Sequence, residues 1–409
     1  MEILYVSSVP SPKEFDRIKE QVKEGVLLTT YGMNESGFKF HTLIMNGMVA
    51  EQENRILSLV GRSVSRSTHK GLFWKKRVEK EGNIEHRHLG FINFPGIKQL
   101  GIGLSFFFHT LAWQIRNRGK EKGIVMDAAY ITVLPFVLAA SKPFRCKKTA
   151  IYCDIYEYMA EVKDARNNDE ISAVRKLARK ITMNSYRQLD SYVFLTEQMN
   201  EVINPTGKPY IVMEGLVDIH MKAKENILEE KAPGKVVMYA GALREAYGLK
   251  NLIEGFRAYE DPEAVLWIFG DGDYAEEIKR LAEEEPRLRF FGAVPLQRVV
   301  EEELKATVMV NPRPADREFT KYSFPSKNME YMVSGTPILT TRLPGMPQEY
   351  YDYIFTIDGA EAKDITAALG KALGLSKEQL HQMGQKAKEF VLTKKNNKVQ
   401  AERIISLLK

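Results

Sequence analysis

From Lys235 to Thr341 the chain alternates short apolar runs with stretches of helical length, and this alternation restricts the fold more than any other feature. Lys235–Gly241, Ala264–Gly270, Leu288–Gly292, Ala306–Val310 and Pro337–Thr341 read as strands. Lys250–Tyr259, Tyr274–Glu284, Leu296–Lys305 and Lys327–Ser334 read as helices between them. Strand and helix in strict alternation is the pattern of a parallel α/β sheet covered on both faces. The first half repeats the pattern less cleanly. Strands are expected at Ile3–Val9, Leu57–Val60, Gly90–Ile92, Ile124–Met126, Thr149–Asp154 and Ser191–Thr196, with helices at Phe40–Glu51, Ser105–Asn117 and Ala173–Asp190. Two such runs within 409 residues predict two doubly wound domains, 1–215 and 216–391, joined through the polar segment Glu214–Lys235. The last stretch, Ser376–Lys409, is helical and charged, with Ser376 as its N-cap.

Composition excludes several function classes. The net charge of +6 comes from dispersed Lys and Arg, without an arginine-rich tract, which argues against nucleic acid and suits anionic substrates or an anionic membrane surface. Two cysteines, Cys146 and Cys153, make no disulfide framework and fit a reducing, cytoplasmic compartment. The N-terminus reads as a first strand rather than a signal peptide, and the apolar stretch Ala128–Ala140 is too short to span a bilayer and is broken by Pro135. His86 and His88 read as a solvated pair rather than a metal site, since Glu85 is the sole carboxylate beside them. The sequence Asp271-Gly272-Asp273 reads as a glycine-rich turn rather than a metal clamp, no GxSxG elbow is present, and no cofactor is expected.

The most informative local segment is Ser323-Phe324-Pro325-Ser326-Lys327-Asn328-Met329-Glu330, closed by Ser334-Gly335-Thr336-Pro337. A turn opens a helix, a lone Glu lies one turn inside it, and a small-residue stop leads into a strand. Unpaired N–H groups at a helix start bind phosphate. Lys327 adds a positive charge, and Glu330 is placed to accept the paired hydroxyls of a ribose. Gly241 permits close approach at the end of the first strand of the second half, and Arg244 is placed to reach a diphosphate. Gly270 belongs to the turn after the next strand, and Arg313 follows the strand end Val310-Asn311-Pro312.

These segments resemble the donor-site signature of retaining GT-B glycosyltransferases, family four, the glycosyl transferases group 1. The resemblance implies two Rossmann-like domains facing a central cleft, with a terminal helix, here 392–409, packing back on the first. It implies transfer of a sugar from a nucleoside diphosphate, UDP above all, to a hydroxyl acceptor with retention, in polysaccharide or glycoconjugate assembly. Glu330 matches the family's ribose-binding Glu. Tyr322 stands where the family has a first acidic residue, and Tyr247 where it has a Lys. The segment Phe290–Val294 is similar to the family's base-contacting strand end, with Val294 as the contact. Arg244 and Lys327 are then the cations for the leaving diphosphate. Gly241, Tyr247, Gly270, Arg313, Tyr322, Ser323, Phe324, Pro325 and Ser326 complete the implied donor site. Asp154, at a strand end of the first half, is the leading acceptor-side carboxylate, ahead of Glu157 and Asp127. The partners implied are a nucleotide sugar and a saccharide or lipid-linked saccharide.

Gly71-Leu72-Phe73-Trp74-Lys75-Lys76-Arg77 sets two aromatics beside three cations and raises the prospect of peripheral contact with an anionic membrane, whereas helix Ser105–Asn117 reads as core. The alternatives kept open are a non-catalytic GT-B subunit, motivated by Tyr247 and Tyr322, and a sugar-nucleotide epimerase.

Overall fold

The computed structural model describes residues 1–25, 35–50, 53–61, 71–94, 97–130, 132–155, 177, 180, 181 and 184–409. The chain divides into two compact units, residues 1–213 with 397–409, and residues 214–396.

The first unit is built on a sheet whose strands are β1 (Glu2–Ser7), β2 (Arg55–Val60), β4 (Arg77–Glu81), β5 (Ile84–His88), β7 (Lys122–Asp127), β8 (Lys147–Tyr152), β9 (Ser191–Phe194) and β10 (Tyr210–Val212). Their order is β10-β9-β8-β7-β1-β2-β5-β4. Strand β4 runs antiparallel to β5, and the other neighbours are parallel. Two short strands, β3 (Phe73–Trp74) and β6 (Phe91–Ile92), pair separately. Helices α1 (Pro12–Lys23), α2 (Glu35–Val49), α3 (Lys98–Arg116), α4 (Leu134–Ser141) and α5 (Glu197–Ile203) complete the described part. The central strands are buried on both faces, which is why Ile3-Leu4-Tyr5-Val6 and Ile124-Val125-Met126 are unbroken apolar runs. Helix α1 starts where Ser11 accepts a hydrogen bond from the Glu14 N–H and Pro12 takes the first helical position.

Two expectations for this half are corrected, and one element is added. The hairpin β4–β5 was not legible, because its edge strand Arg-Val-Glu-Lys-Glu is charged, as edge strands are when they resist pairing with other chains. His86 and His88 are therefore not solvated: they alternate with Ile84 on the inward side of β5, and both are buried. Strand β8 stops at Tyr152, so Asp154 lies two residues past its end and is exposed. Glu157 and most of the helical stretch 173–190 lie outside the described residues.

The second unit is an all-parallel sheet of β11 (Lys235–Ala240), β12 (Ala264–Phe269), β13 (Leu288–Gly292), β14 (Val308–Asn311), β15 (Ile338–Thr341) and β16 (Phe355–Ile357), ordered β13-β12-β11-β14-β15-β16. Helices α6 (Leu249–Arg257), α7 (Ala275–Glu284), α8 (Leu296–Lys305), α9 (Ser326–Ser334), α10 (Ala362–Leu373) and α11 (Lys377–Lys394) cover it. Alternation along β11 divides the core. Val236, Met238 and Ala240 pack with Met329, Met332 and Phe390 on one face. Val237 and Tyr239 pack with Leu252, Ile253 and Phe256 on the other. Helix α11 begins in a capping box between Ser376 and Gln379. The final helix, α12 (Asn397–Leu408), belongs to the first unit, where its first turn lies so close to Gly47 of α2 that any β-carbon there would overlap the Asn397 carbonyl.

Candidate functional site

The carboxyl ends of β11 and β14 and the start of α9 meet in the second unit, the place where open parallel sheets take ligands. Pro325 occupies the N-cap of α9 and supplies no side-chain hydrogen bond, and the first turn holds no acidic residue. The helix thus presents its positive end without an internal anion. Its register is fixed from below. Tyr331 donates to the Ala240 carbonyl at 2.9 Å and accepts from the Ala240 N–H at 3.0 Å, tying the helix to the end of β11. Asn311 of β14 donates to Asn328 at 2.7 Å, and both are buried.

Lys327 sits in the notch this creates. Its ammonium donates to the Ala240 carbonyl and lies 5.7 Å from the centroid of Tyr239. The space exists because residue 241 is glycine: a β-carbon there would overlap the Lys327 Nζ. Burial pulls the Lys327 pKa down, while Glu330 and Glu303 oppose that shift. An arriving diphosphate would likewise favour the charged form, since an opposite charge offsets desolvation. Glu330 itself is half-buried one turn inside α9.

A second group of cations gathers on Tyr247. The Arg313 guanidinium lies 5.0 Å from the Tyr247 ring and 4.8 Å from that of Phe319. The exposed Arg244 lies 5.9 Å from the same tyrosine. Tyr247 ends a short turn of helix at Glu245–Tyr247, and Gly248 after it is left-handed with φ +85°, packed against the Pro312 carbonyl with no room for a β-carbon. That close approach brings the Tyr247 turn against the segment that carries Arg313.

The remaining sequence-derived positions divide by what their atoms are committed to. Gly270 spends its N–H on the Gly292 carbonyl at 2.8 Å, and its missing β-carbon lets it pack on Gly241. Gly272 packs in the same way on Leu243. The glycine-rich turn therefore shapes the notch through backbone packing. Val294 is half-buried against the core. Tyr322 closes the short helix Glu318–Lys321, and the Ser323 hydroxyl donates to the Phe319 carbonyl at 3.1 Å. The Phe324 ring is buried against Tyr350 at 5.2 Å, so its side chain is core and its backbone forms the turn. Pro325 is buried and Ser326 exposed at the helix start. Sequence reading had missed Phe319, Tyr331 and Asn328, whose signals lie in packing and not in a motif.

The first unit builds a separate polar cluster at the carboxyl ends of its central strands. The Tyr5 hydroxyl and His41 Nδ1 are hydrogen-bonded at 2.6 Å, and His41 Nε2 lies 3.7 Å from Asp127 Oδ2 and 4.0 Å from Cys153 Sγ. Burial lowers the His41 pKa against the pull of Asp127. Burial also raises Tyr5 and Cys153, reinforced in both by Asp127. Asp127 is buried and accepts the Ala129 N–H at 3.0 Å, whereas Asp154 is exposed and so accessible to an acceptor. His41 had given no sequence signal, being one histidine within the apolar helix α2.

Residues 221–390 match the glycosyl transferases group 1 family. No curated protein matches the sequence. Among solved structures, the chain is similar to sucrose-phosphate synthase from Thermosynechococcus elongatus, at 13% identity and TM-score 0.62, over 100% of this chain and 98% of that one. It is similar to HepE of Anabaena in complex with UDP, at 13% identity and TM-score 0.59, over 100% and 99%. It is also similar to a trehalose-6-phosphate synthase studied for glycosyl transfer with retention, at 11% identity and TM-score 0.62, over 99% and 98%. The fold is GT-B, with two Rossmann-like units.

Proposed function

We propose that this chain, a GT-B protein whose residues 221–390 match the glycosyl transferases group 1 family, moves a hexose or related sugar from a UDP-sugar to a hydroxyl acceptor with retention of anomeric configuration. The observation that carries the reading is the notch at the start of α9, where Lys327 fills the space left by Gly241 beside an uncapped helix end. HepE, crystallised with UDP and with UDP-glucose, supports the choice of base. The trehalose-6-phosphate synthase supports retention.

In this reading the α9 N–H groups and Lys327 hold the diphosphate, Glu330 holds the ribose, and Arg313 and Arg244 take up charge as the diphosphate leaves. Stabilising a departing anion with preorganised donors and aligning the acceptor accounts for most of what such a transfer asks of a protein. Asp154 is the proposed acceptor-side carboxylate of the first unit. The charge stabilisation is assigned to these side chains, and activity that survives chelation of divalent metals is the expected behaviour. Bacterial polysaccharide or glycoconjugate assembly is the proposed setting.

A non-catalytic subunit is the competing reading, motivated by Tyr247 and Tyr322. It is disfavoured because Tyr247 is ringed by two arginines, so positive charge is relocated and not lost. Thermal unfolding with UDP, GDP, ADP and their sugars, on wild type and Glu330→Ala, tests the proposal. Selective stabilisation by UDP ligands that the variant loses supports it. Absence of a shift with every nucleotide overturns it. Release of UDP from a UDP-sugar separates a transferase from a subunit without turnover, and from an epimerase, which would return an isomeric UDP-sugar.

A further inference from the structure

Exposed apolar side chains are unevenly placed. Among the described residues sixteen large ones are exposed, and ten of them lie between Leu72 and Ile115 of the first unit. Scattered single apolar residues need no explanation, but a contiguous patch does.

The geometry joins seven of these ten, together with the half-buried Leu111, into a patch. On α3, the side chains Ile97, Leu100, Leu104, Phe108, Leu111 and Ile115 recur at spacings of three and four residues, so they form one stripe along the helix and its leading edge. The opposite stripe, Ile102, Phe106, Thr110 and Trp113, is buried. Phe108 is 61% exposed and Ile115 59%. Next to α3 packs the small β3–β6 sheet, whose register sets Phe73 opposite Ile92 on the outer face, with Phe73 66% exposed. Trp74 faces the other way and stacks on Phe91 at 6.0 Å. The aromatic that reaches outward from this loop is thus Phe73. Helix α3, read as core from sequence, is core on one face only.

Charge identifies the occupant. From His86 to Lys120 the sequence contains no Asp or Glu, while Lys98, Arg116 and Arg118 lie in and just after α3. Lys75 and Lys76, both exposed, follow Phe73 directly. An apolar stripe within a run of 35 residues that holds cations and no Asp or Glu suits the interface of a bilayer that contains anionic lipid. No helix among the described residues is long and apolar enough to cross a membrane.

We propose that the outer face of α3 and the β3–β6 sheet dock the protein on anionic phospholipid. The inference is independent of the donor site. The test is co-sedimentation of the full chain with phosphatidylcholine vesicles, with and without phosphatidylglycerol, for wild type, Leu104→Ser/Phe108→Ser and Lys75→Glu/Lys76→Glu. All substituted residues but Leu104 are well exposed and Leu104 is partly so; unchanged thermal unfolding confirms that each variant folds. Wild type should bind the anionic vesicles and bind neutral ones far less. The apolar double variant should lose about tenfold or more in partition, given the apolar area it withdraws from the interface. The charge-reversal variant should bind weakly, as should wild type at high salt. Failure of wild type to bind anionic vesicles at low salt overturns the proposal, as does binding that neither variant weakens. A concentration-dependent dimer in light scattering, abolished by Leu104→Ser/Phe108→Ser, would assign the face to a second copy and overturn it as well.

Discussion

Gly241→Ala is the sharpest test of the notch, because it changes a site residue by one methyl group. The new β-carbon would coincide with the Lys327 ammonium, the far end of a flexible side chain that can swing away, and would not meet the helix itself. The fold should survive. The displaced ammonium loses its hydrogen bond to the Ala240 carbonyl, a net cost of about 1 kcal/mol, and alanine at φ +154° adds roughly 1–3 kcal/mol of backbone strain, together about 4–16 °C in Tm for a unit of this size. Ligand binding should fall as well. A charge-assisted hydrogen bond to phosphate contributes about 1.5–3 kcal/mol, so UDP affinity should drop roughly 10- to 150-fold. Titration calorimetry with UDP gives the affinity, and a melt without ligand gives the stability. Lys327→Met should weaken UDP to a similar degree without the steric change, and Gly241→Ala in that background should add little. An unchanged UDP affinity in Gly241→Ala, with the melt shifted as expected, would show that Lys327 moved without consequence for the ligand and would refute its role at the phosphates.

Three further predictions rest on other parts of the structure. Arg313→Ala should weaken UDP by about tenfold or more, and Arg313→Lys should restore little, since an ammonium lacks the guanidinium's planar fork of donors for a phosphate and its contact with the Tyr247 and Phe319 rings; calorimetry on both variants decides it. Lys395 pairs with Glu214, which is buried and also accepts the Tyr350 hydroxyl at 2.6 Å, so Lys395→Met should cost about 3–5 kcal/mol in denaturant unfolding, with Glu214→Gln recovering part of it. Burial lowers the His88 pKa from 6.5 to about 4, aided by His86 and Arg77 and opposed by Glu79, so the unfolded chain binds the extra proton between those values. Stability should therefore hold above pH 6.5 and fall by about 3 kcal/mol as pH drops from 6.5 to 4, a loss that His88→Gln should remove from the pH profile of unfolding.

How much the sequence disclosed followed from burial. Strand β13 and helix α8 fall at Leu288–Gly292 and Leu296–Lys305, the limits read from the sequence, because a two-faced parallel sheet writes each strand as an apolar run and each helix as an amphipathic one. Strand β5 escaped for the converse reason. It lies next to a charged edge strand, and its inward positions hold His86 and His88 instead of aliphatic residues, so nothing in Ile-Glu-His-Arg-His alternates in hydropathy. The exposed stripe of α3 escaped because periodicity reports that a helix has an apolar face without saying whether anything covers it. Here both faces are apolar, and the coordinates alone separate the stripe that packs from the one that does not.

The site was legible as types of residue and illegible as contacts. The helix start with Lys327 and Glu330 could be read locally, since a turn, a cation and a carboxylate within eight residues need no tertiary information. Gly241 had its explanation 86 residues away, in the lysine that occupies its missing side chain. Tyr247 is the more instructive case. Read alone, a tyrosine where the resembling family carries a lysine is a lost cation and an argument for lost activity. Placed by the left-handed turn at Gly248 against Pro312, the ring becomes a surface for Arg313, which Phe319 backs at a comparable distance. A guanidinium held by two rings gives up less rotamer freedom on binding an anion than a free lysine would. The tyrosine that makes the sequence look defective thus lies, in the folded chain, in contact with a different positive charge, Arg313.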